Sequence, residues 1–303
     1  VCSSNYALYG DISERVMNVL GASAPAHEIY SIDECFLDLD QLAVPSLAAW
    51  CRHLRETTAR WTGIPVSIGV GPTKTLAKLA NRLAKKSART GGVLDLSHNP
   101  DWITPALHKT PIQDVWGVGQ RWTVMLQERG IQTAFDFAQA PDAWVRHRMG
   151  VVGLRTVHEL RGFVCHALED QPPPRQTTCC SRTFGTAIFD KAQVHDAVMS
   201  FVERAAEKVR HAGQVAGAVQ LFVRTDPFAQ NAPQKSLSGS ATFHRPTSDT
   251  REIAATVRRI FDRVWREGFG WRKAGVLLLD LGLPGAAPAS LFDALEAPDD
   301  RLM

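Results

Sequence analysis

The stretch EIYSIDECFLDLD, Glu28 to Asp40, sets five carboxylates within thirteen residues that otherwise alternate like a half-buried strand. Carboxylates taken out of water are costly unless something positive meets them. An arginine, water or a metal ion would serve. Neighbouring side chains on a regular strand point to opposite faces, so Asp33 and Glu34 converge only at a turn or bulge, which the sequence places near Ser31–Glu34. Such a pair suits a hard divalent cation with oxygen ligands. Two such ions clamp the attacking and leaving oxygens of a phosphoryl transfer. The plainer alternative makes Asp33 a turn residue and Glu34 a surface residue, and the dipeptide alone does not choose. Asp38 and Asp40 read as the solvent end of the strand.

Working outward, DISERVMNVL from Asp11 and the segment Pro45–Trp61 carry helical apolar spacing, and IPVSIGVG, Ile64 to Gly71, is a short apolar strand. PTKTLAKLANRLAKKSARTGG then predicts one helix from Pro72 to the closing Gly91-Gly92, and GVLDL a last strand. Residues 1–100 are thus expected to form a sheet covered by helices. On the helix, Lys74, Lys78, Arg82, Lys85 and Arg89 share one arc, and Leu76, Leu79, Ala80 and Leu83 the opposite one. The apolar arc is expected to pack on the sheet. The cationic arc is either a solvated face or a phosphate contact. GVGPTK lacks the GxxxxGK[ST] spacing of a Walker loop.

Residues 101–168 read as short helices without strands. Within them IQDVWGVGQRWTVMLQERGIQTAFDFA, residues 112–138, has the pattern of a helix-hairpin-helix. Gly117-Val118-Gly119 allows a tight turn, and the helix that follows, with Arg121, presents free N–H groups that bind a DNA phosphate without reading sequence. The plainer alternative is a simple αα-hairpin. QPPPR, within 169–178, reads as a linker. Residues 179–282 follow the order βαββαβ, expected as a ferredoxin-like unit with helices on one face and a free sheet face on the other. Arg182, Arg224, Lys235 and Arg245 lie on its strands and could meet a phosphate backbone. Residues 283–303 are an Ala/Pro-rich acidic tail. The fold class expected is α+β and multidomain.

Charge is uneven. Residues 1–50 hold one Arg and seven acids, and residues 51–90 nine basic residues and one acid. Residues 175–282 hold sixteen basic and ten acidic residues. An acidic patch beside basic surfaces suits a cation site next to a polyanion site. Six cysteines without a CxxC, two of them the vicinal Cys179-Cys180, fit a reducing cytosol, and the ten histidines show no ligand spacing. No apolar run reaches the length of a membrane span, so no membrane partner is expected.

YSIDECFLDL, GVGPTKTLAKLANRLAKK, VWGVG and CSRTFG, in that order, closely resemble the Y-family translesion DNA polymerases, and within them the bacterial UmuC-type branch. The resemblance covers essentially the whole chain. It implies a partial palm over 1–100, an all-helical thumb over 101–168 and a little finger over 179–282 that grips primer–template DNA. It makes Asp33 and Glu34 catalytic, metal-binding carboxylates for Mg²⁺, two ions in the complete enzyme. It makes Lys85 the lysine that contacts the triphosphate of the incoming dNTP, and Gly117, Val118, Gly119, Arg121 and Arg182 DNA-binding. The implied setting is the bacterial cytoplasm in SOS-type mutagenesis, with a sliding clamp, a UmuD-like accessory protein and a recombinase filament as partners. PASLFDAL sits where the family carries its clamp peptide. Leu291 and Phe292 fit the apolar anchors, but Pro288 replaces the usual leading Gln. The family's third carboxylate lies on a first palm strand, followed by fingers, and no stretch here matches either. The resemblance therefore implies a fragment that does not polymerise by itself. The competing expectations are a catalytically dead homologue serving as a scaffold, and a repair factor that uses the helix-hairpin-helix alone.

Overall fold

The computed structural model describes residues 4–169, 174–229 and 232–285. The chain divides into two compact units, residues 1–172 and 173–303. Leu291 and Phe292 lie outside the described residues.

The first unit opens with α1 (Tyr6–Gly21) and a hairpin of β1 (Ala26–Ser31) and β2 (Glu34–Asp38). Helix α2 (Leu47–Thr62) follows, capped by the Ser46 side chain at its start and by left-handed Gly63 at its end. A second small sheet pairs β3 (Ile68–Val70) in parallel with β4 (Val93–Asp95), and α3 (Lys74–Lys86) crosses between them. Helix α3 is shorter than its charge pattern suggested. Ser87 takes an extended backbone and ends it, so Arg89 falls in a separate 3-10 turn, off the cationic row.

Helices α4 (Ile103–Lys109), α5 (Gln120–Glu128), α6 (Ala134–Ala138) and α7 (Asp142–Leu160, kinked at Gly150) complete the unit. The expected helical character of this region holds. The apolar arc of α3 does not rest on the strands alone. Leu76, Leu79 and Ala80 share one core with Ile112, Leu126, Phe137, Val145 and Leu160. The reason is supply: the two short strands beside α3 offer few apolar side chains, and the helices downstream offer many.

The second unit runs β5 (Thr177–Ile188), α8 (Lys191–His211), β6 (Val215–Thr225), β7 (Ser236–Thr247), α9 (Thr250–Val264) and β8 (Trp271–Gly282). Both helices cover one face, with Val198, Phe201, Val257 and Phe261 packed on Leu221, Val223, Val276 and Leu278. The strand order is β5-β8-β6-β7, antiparallel throughout. This corrects the ferredoxin-like expectation, which would place β5 and β7 at the centre as parallel neighbours. Composition explains the outcome. VAGAVQLFVRT and WRKAGVLLLDLG are near-continuous apolar runs and take the central positions, while the polar TTCCSRTFGTAI and SLSGSATFHRPT take the edges. Among the described residues no helix is long and apolar enough to cross a membrane.

Candidate active site and nucleic-acid interface

The β1–β2 hairpin turns through Ile32 and Asp33, with Ser31 paired to Glu34 and a register shift between Ile29 and Ser31. That irregularity lets two consecutive carboxylates serve one region. The Ser31 hydroxyl donates to Asp33 Oδ1 at 2.7 Å, and the Ser13 hydroxyl donates to the Ile32 carbonyl, which ties the turn to α1. Asp33 is exposed and Glu34 half-buried.

What faces Glu34 is a lysine. Lys78 Nζ donates to Glu34 Oε2 at 2.7 Å. Two more members of the cationic row, Lys74 and Arg82, are occupied in the same way, as is Lys86 beside it. Lys74 pairs with Glu28 and donates to the Ala167 carbonyl at 2.7 Å, while Arg82 and Lys86 both pair with Asp114. The row expected either in solvent or against phosphate is therefore largely neutralised by carboxylates of its own unit. Lys85 differs: it is exposed and makes no ion pair among the described residues.

Asp33, Glu34 and Lys85 come together along one groove of about 620 Å³. Lys78 and Asn81 line it as well, two turns and one turn before Lys85 on the same side of α3. Neither was singled out from the sequence as a groove residue, although their i, i+3, i+7 spacing with Lys85 is legible. The Asn81 side-chain oxygen is buried and meets no donor among the described residues, an unsatisfied acceptor of the kind that marks a site. The opposite wall is apolar, with Val16, Leu20, Leu37 and Ile68. Strand β2 pairs only with β1 and β3 only with β4 among the described residues, and both line this groove.

The donor set fits a hard cation in part. Two carboxylates stand together and offer only oxygen, which suits Mg²⁺ held by one or two carboxylates and substrate phosphates. Among the described residues no cluster of three or more Asp, Glu, His or Cys forms a complete cage.

The turn Trp116-Gly117-Val118-Gly119 lies at the start of α5. Gly117 has φ +85°, which a side chain tolerates poorly, and Gly119 is the N-cap, with open space where a Cβ would stand. Val118 is buried and anchors the turn, while Arg121 is exposed beside the free amides of the helix end. The arm before the turn is only a 3-10 turn, Ile112–Asp114, so the first helix of the expected hairpin is reduced to a single turn.

In the second unit the face away from the helices carries Phe222, Arg224, Lys273 and the serines of β7. The Arg224 guanidinium lies over the Phe222 ring at 5.1 Å. Arg182 is exposed but pairs with buried Ala274, which places it on the helix-bearing side at the sheet edge. The structure thus assembles Asp33, Glu34 and Lys85, sets Gly117–Arg121 on a separate turn, and leaves Arg182 off the open sheet face.

Comparison with known proteins agrees with this layout. The impB/mucB/samB family pattern matches residues 1–82, and the family's C-terminal domain matches residues 175–291. The chain is 44% identical to Protein ImpB of Salmonella typhimurium over 98% of this chain and 70% of that protein. It is also 44% identical to Protein UmuC of the same species over 97% and 70%. Among solved structures, the Y-family DNA polymerase chimera Dbh-Dpo4-Dbh superposes with a TM-score of 0.71 at 21% identity, covering 92% of this chain and 78% of that one. At that identity the match shows a shared fold.

Proposed function

The chain belongs to the UmuC/ImpB/SamB/MucB group of Y-family DNA polymerases, and from that premise we propose that it performs template-directed translesion DNA synthesis, joining a deoxynucleotide to a primer 3′-hydroxyl. The observation that carries the reading is the convergence of Asp33, Glu34 and Lys85 on one groove.

Asp33 and Glu34 would hold Mg²⁺, which when bound supplies the positive charge that activates the primer hydroxyl and neutralises the triphosphate. Lys85, unpaired at the groove, offers its ammonium to the triphosphate. Lys78 neutralises one oxygen of Glu34 and leaves the other to act. The amides at Gly119 and the start of α5, with Arg121, take a backbone phosphate of the primer–template without reading its sequence. The open sheet face with Arg224 and Lys273 offers a second phosphate-binding surface. Strands β2 and β3 both line the groove, and a further carboxylate brought into it would complete the set beside Asp33 and Glu34. A sliding clamp at Leu291 and Phe292, a UmuD-like accessory protein and a recombinase filament are proposed partners by family likeness alone.

Primer extension by the full-length protein on a lesion-bearing template tests the reading. Synthesis should require Mg²⁺, and Asp33→Ala should reduce it by on the order of 10²-fold or more, as loss of a group that stabilises transition-state charge does. Lys85→Ala should raise the nucleotide KM by roughly tenfold, the worth of one charge-assisted contact. Tight primer–template binding without any synthesis would assign the protein to a scaffold role.

A further inference from the structure

Trp116 stands immediately before Gly117, at the mouth of the turn proposed to hold DNA phosphate, yet its side chain reaches the carboxylate hairpin. Its indole Nε1 donates to the Tyr30 hydroxyl at 3.1 Å, and its ring meets Tyr30 edge-on at 5.4 Å and Phe36 at 5.7 Å. His166 closes the far side at 5.8 Å. The Lys78 ammonium sits against this cluster, 4.9 Å from the Tyr30 ring centre and 5.7 Å from that of Trp116, while it donates to Glu34. Lys78 has 18% of its side chain exposed and Glu34 30%, so both the cation–π contacts and the ion pair act with solvent partly excluded.

We propose that Trp116 and Lys78 are positioning residues that couple the phosphate-binding turn to Glu34. Each end of the chain of contacts is fixed by something else. Glu34 is held on the hairpin by its pairing with Ser31, and Trp116 by the turn whose shape Gly117 sets. Among the described residues, Lys78 touches both. A turn clamped on phosphate holds Trp116, Trp116 with Tyr30 confines the ammonium, and the ammonium fixes which oxygen of Glu34 remains available. Loss of either positioning group frees the carboxylate to rotate without removing it. The inference rests on Glu34 acting at the reaction centre.

The test uses the full-length protein, with the single-turnover incorporation rate at saturating primer–template, the DNA Kd, and the ¹⁵N-indole resonance of Trp116. Lys78→Met and Trp116→Ala should each slow incorporation by about tenfold, as expected for one lost cation–π or charge contact, with the DNA Kd changed by less than about twofold. Trp116→Phe should retain most of the rate. The double variant should be no slower than the slower single one, because both act through one carboxylate. Mg²⁺ should shift the Trp116 indole resonance, and Lys78→Met should abolish that shift. The relay is overturned if Trp116→Ala weakens DNA binding while the saturated rate stays unchanged, if the two rate losses multiply, or if the indole resonance stays still while Asp33-dependent Mg²⁺ binding is observed. A wild-type protein without any synthesis removes the polymerase reading, and the indole titration then decides the relay by itself.

Discussion

Glu159 is completely buried, and four donors meet its carboxylate. Thr75 gives its backbone N–H and hydroxyl to one oxygen at 2.9 and 2.8 Å, and the N–H groups of Cys165 and His166 reach the other at 3.0 Å each. Thr75 lies two residues past the Thr73 N-cap, so the carboxylate also sits at the positive end of α3. Glu159→Gln turns at least one backbone N–H contact into donor facing donor, since of the four donors only the Thr75 hydroxyl can turn to accept. It should destabilise the first unit by roughly 2–4 kcal/mol, lowering the urea midpoint at unchanged slope. A change within about 0.5 kcal/mol would mean the carboxylate is dispensable. Asp114 offers a pH test at the same scale. Burial works to raise its pKa, but hydrogen bonds and charge from Lys86 and Arg82 outweigh it and hold the pKa below the ordinary carboxylate value. A lowered folded pKa means a contribution present above the unfolded value near pH 4, and lost as the pH falls through the folded one. Wild-type stability should therefore fall more steeply than that of Asp114→Asn on acidification from about pH 5 to 3. Parallel acid-unfolding curves for the two proteins would remove that role.

At the scale of the element, the second unit turns on which strands are central. Central β8 admits Gly275 because the Phe222 ring and Ser181 close over it: a Cβ there would meet Phe222 Cζ at 2.5 Å and Ser181 Cβ at 2.4 Å. Gly275→Ala should cost about 1–3 kcal/mol by overpacking, and adding Phe222→Leu should restore part of it. Equal thermal midpoints for Gly275→Ala and the parent would show that the ring simply moves aside. This order was legible in composition, since two apolar strands and two polar ones leave little choice of centre. The ferredoxin-like expectation failed because it took connectivity as topology, and βαββαβ connectivity admits more than one sheet order. The hairpin at Asp33 was legible too, because two adjacent acids can serve one site only across a turn or bulge. The partners of α3 were not. Helical spacing shows that Lys74, Lys78 and Arg82 share a face, but Glu28, Glu34 and Asp114 reach that face from 46, 44 and 32 residues away. Only tertiary packing could reveal that the row is answered internally.

For the molecule as a whole, that pairing redistributes the charge available to DNA. The net formal charge is only +3, and Lys74, Lys78, Arg82 and Lys86 are committed to carboxylates of their own unit. An ammonium already paired releases little counterion from DNA, because binding phosphate would first require giving up its carboxylate. Salt-sensitive binding must therefore draw on other cations, among them Lys85 and Arg121 in the first unit, and Arg224 and Lys273 on the open sheet face of the second. Arg182 makes the discriminating comparison. It is as basic and as exposed, but its strand register turns it to the helix-bearing side. If DNA lies on the open face, Arg224→Ala and Lys273→Ala should each lower the slope of log K against log salt by about 1, while Arg182→Ala should change it by less than about half as much. Fluorescence anisotropy with labelled primer–template over a salt series measures all three slopes. A larger loss at Arg182 than at Lys273 would move the DNA to the edge of the sheet and refute the open-face assignment, while leaving the groove at Asp33 and Glu34 untouched.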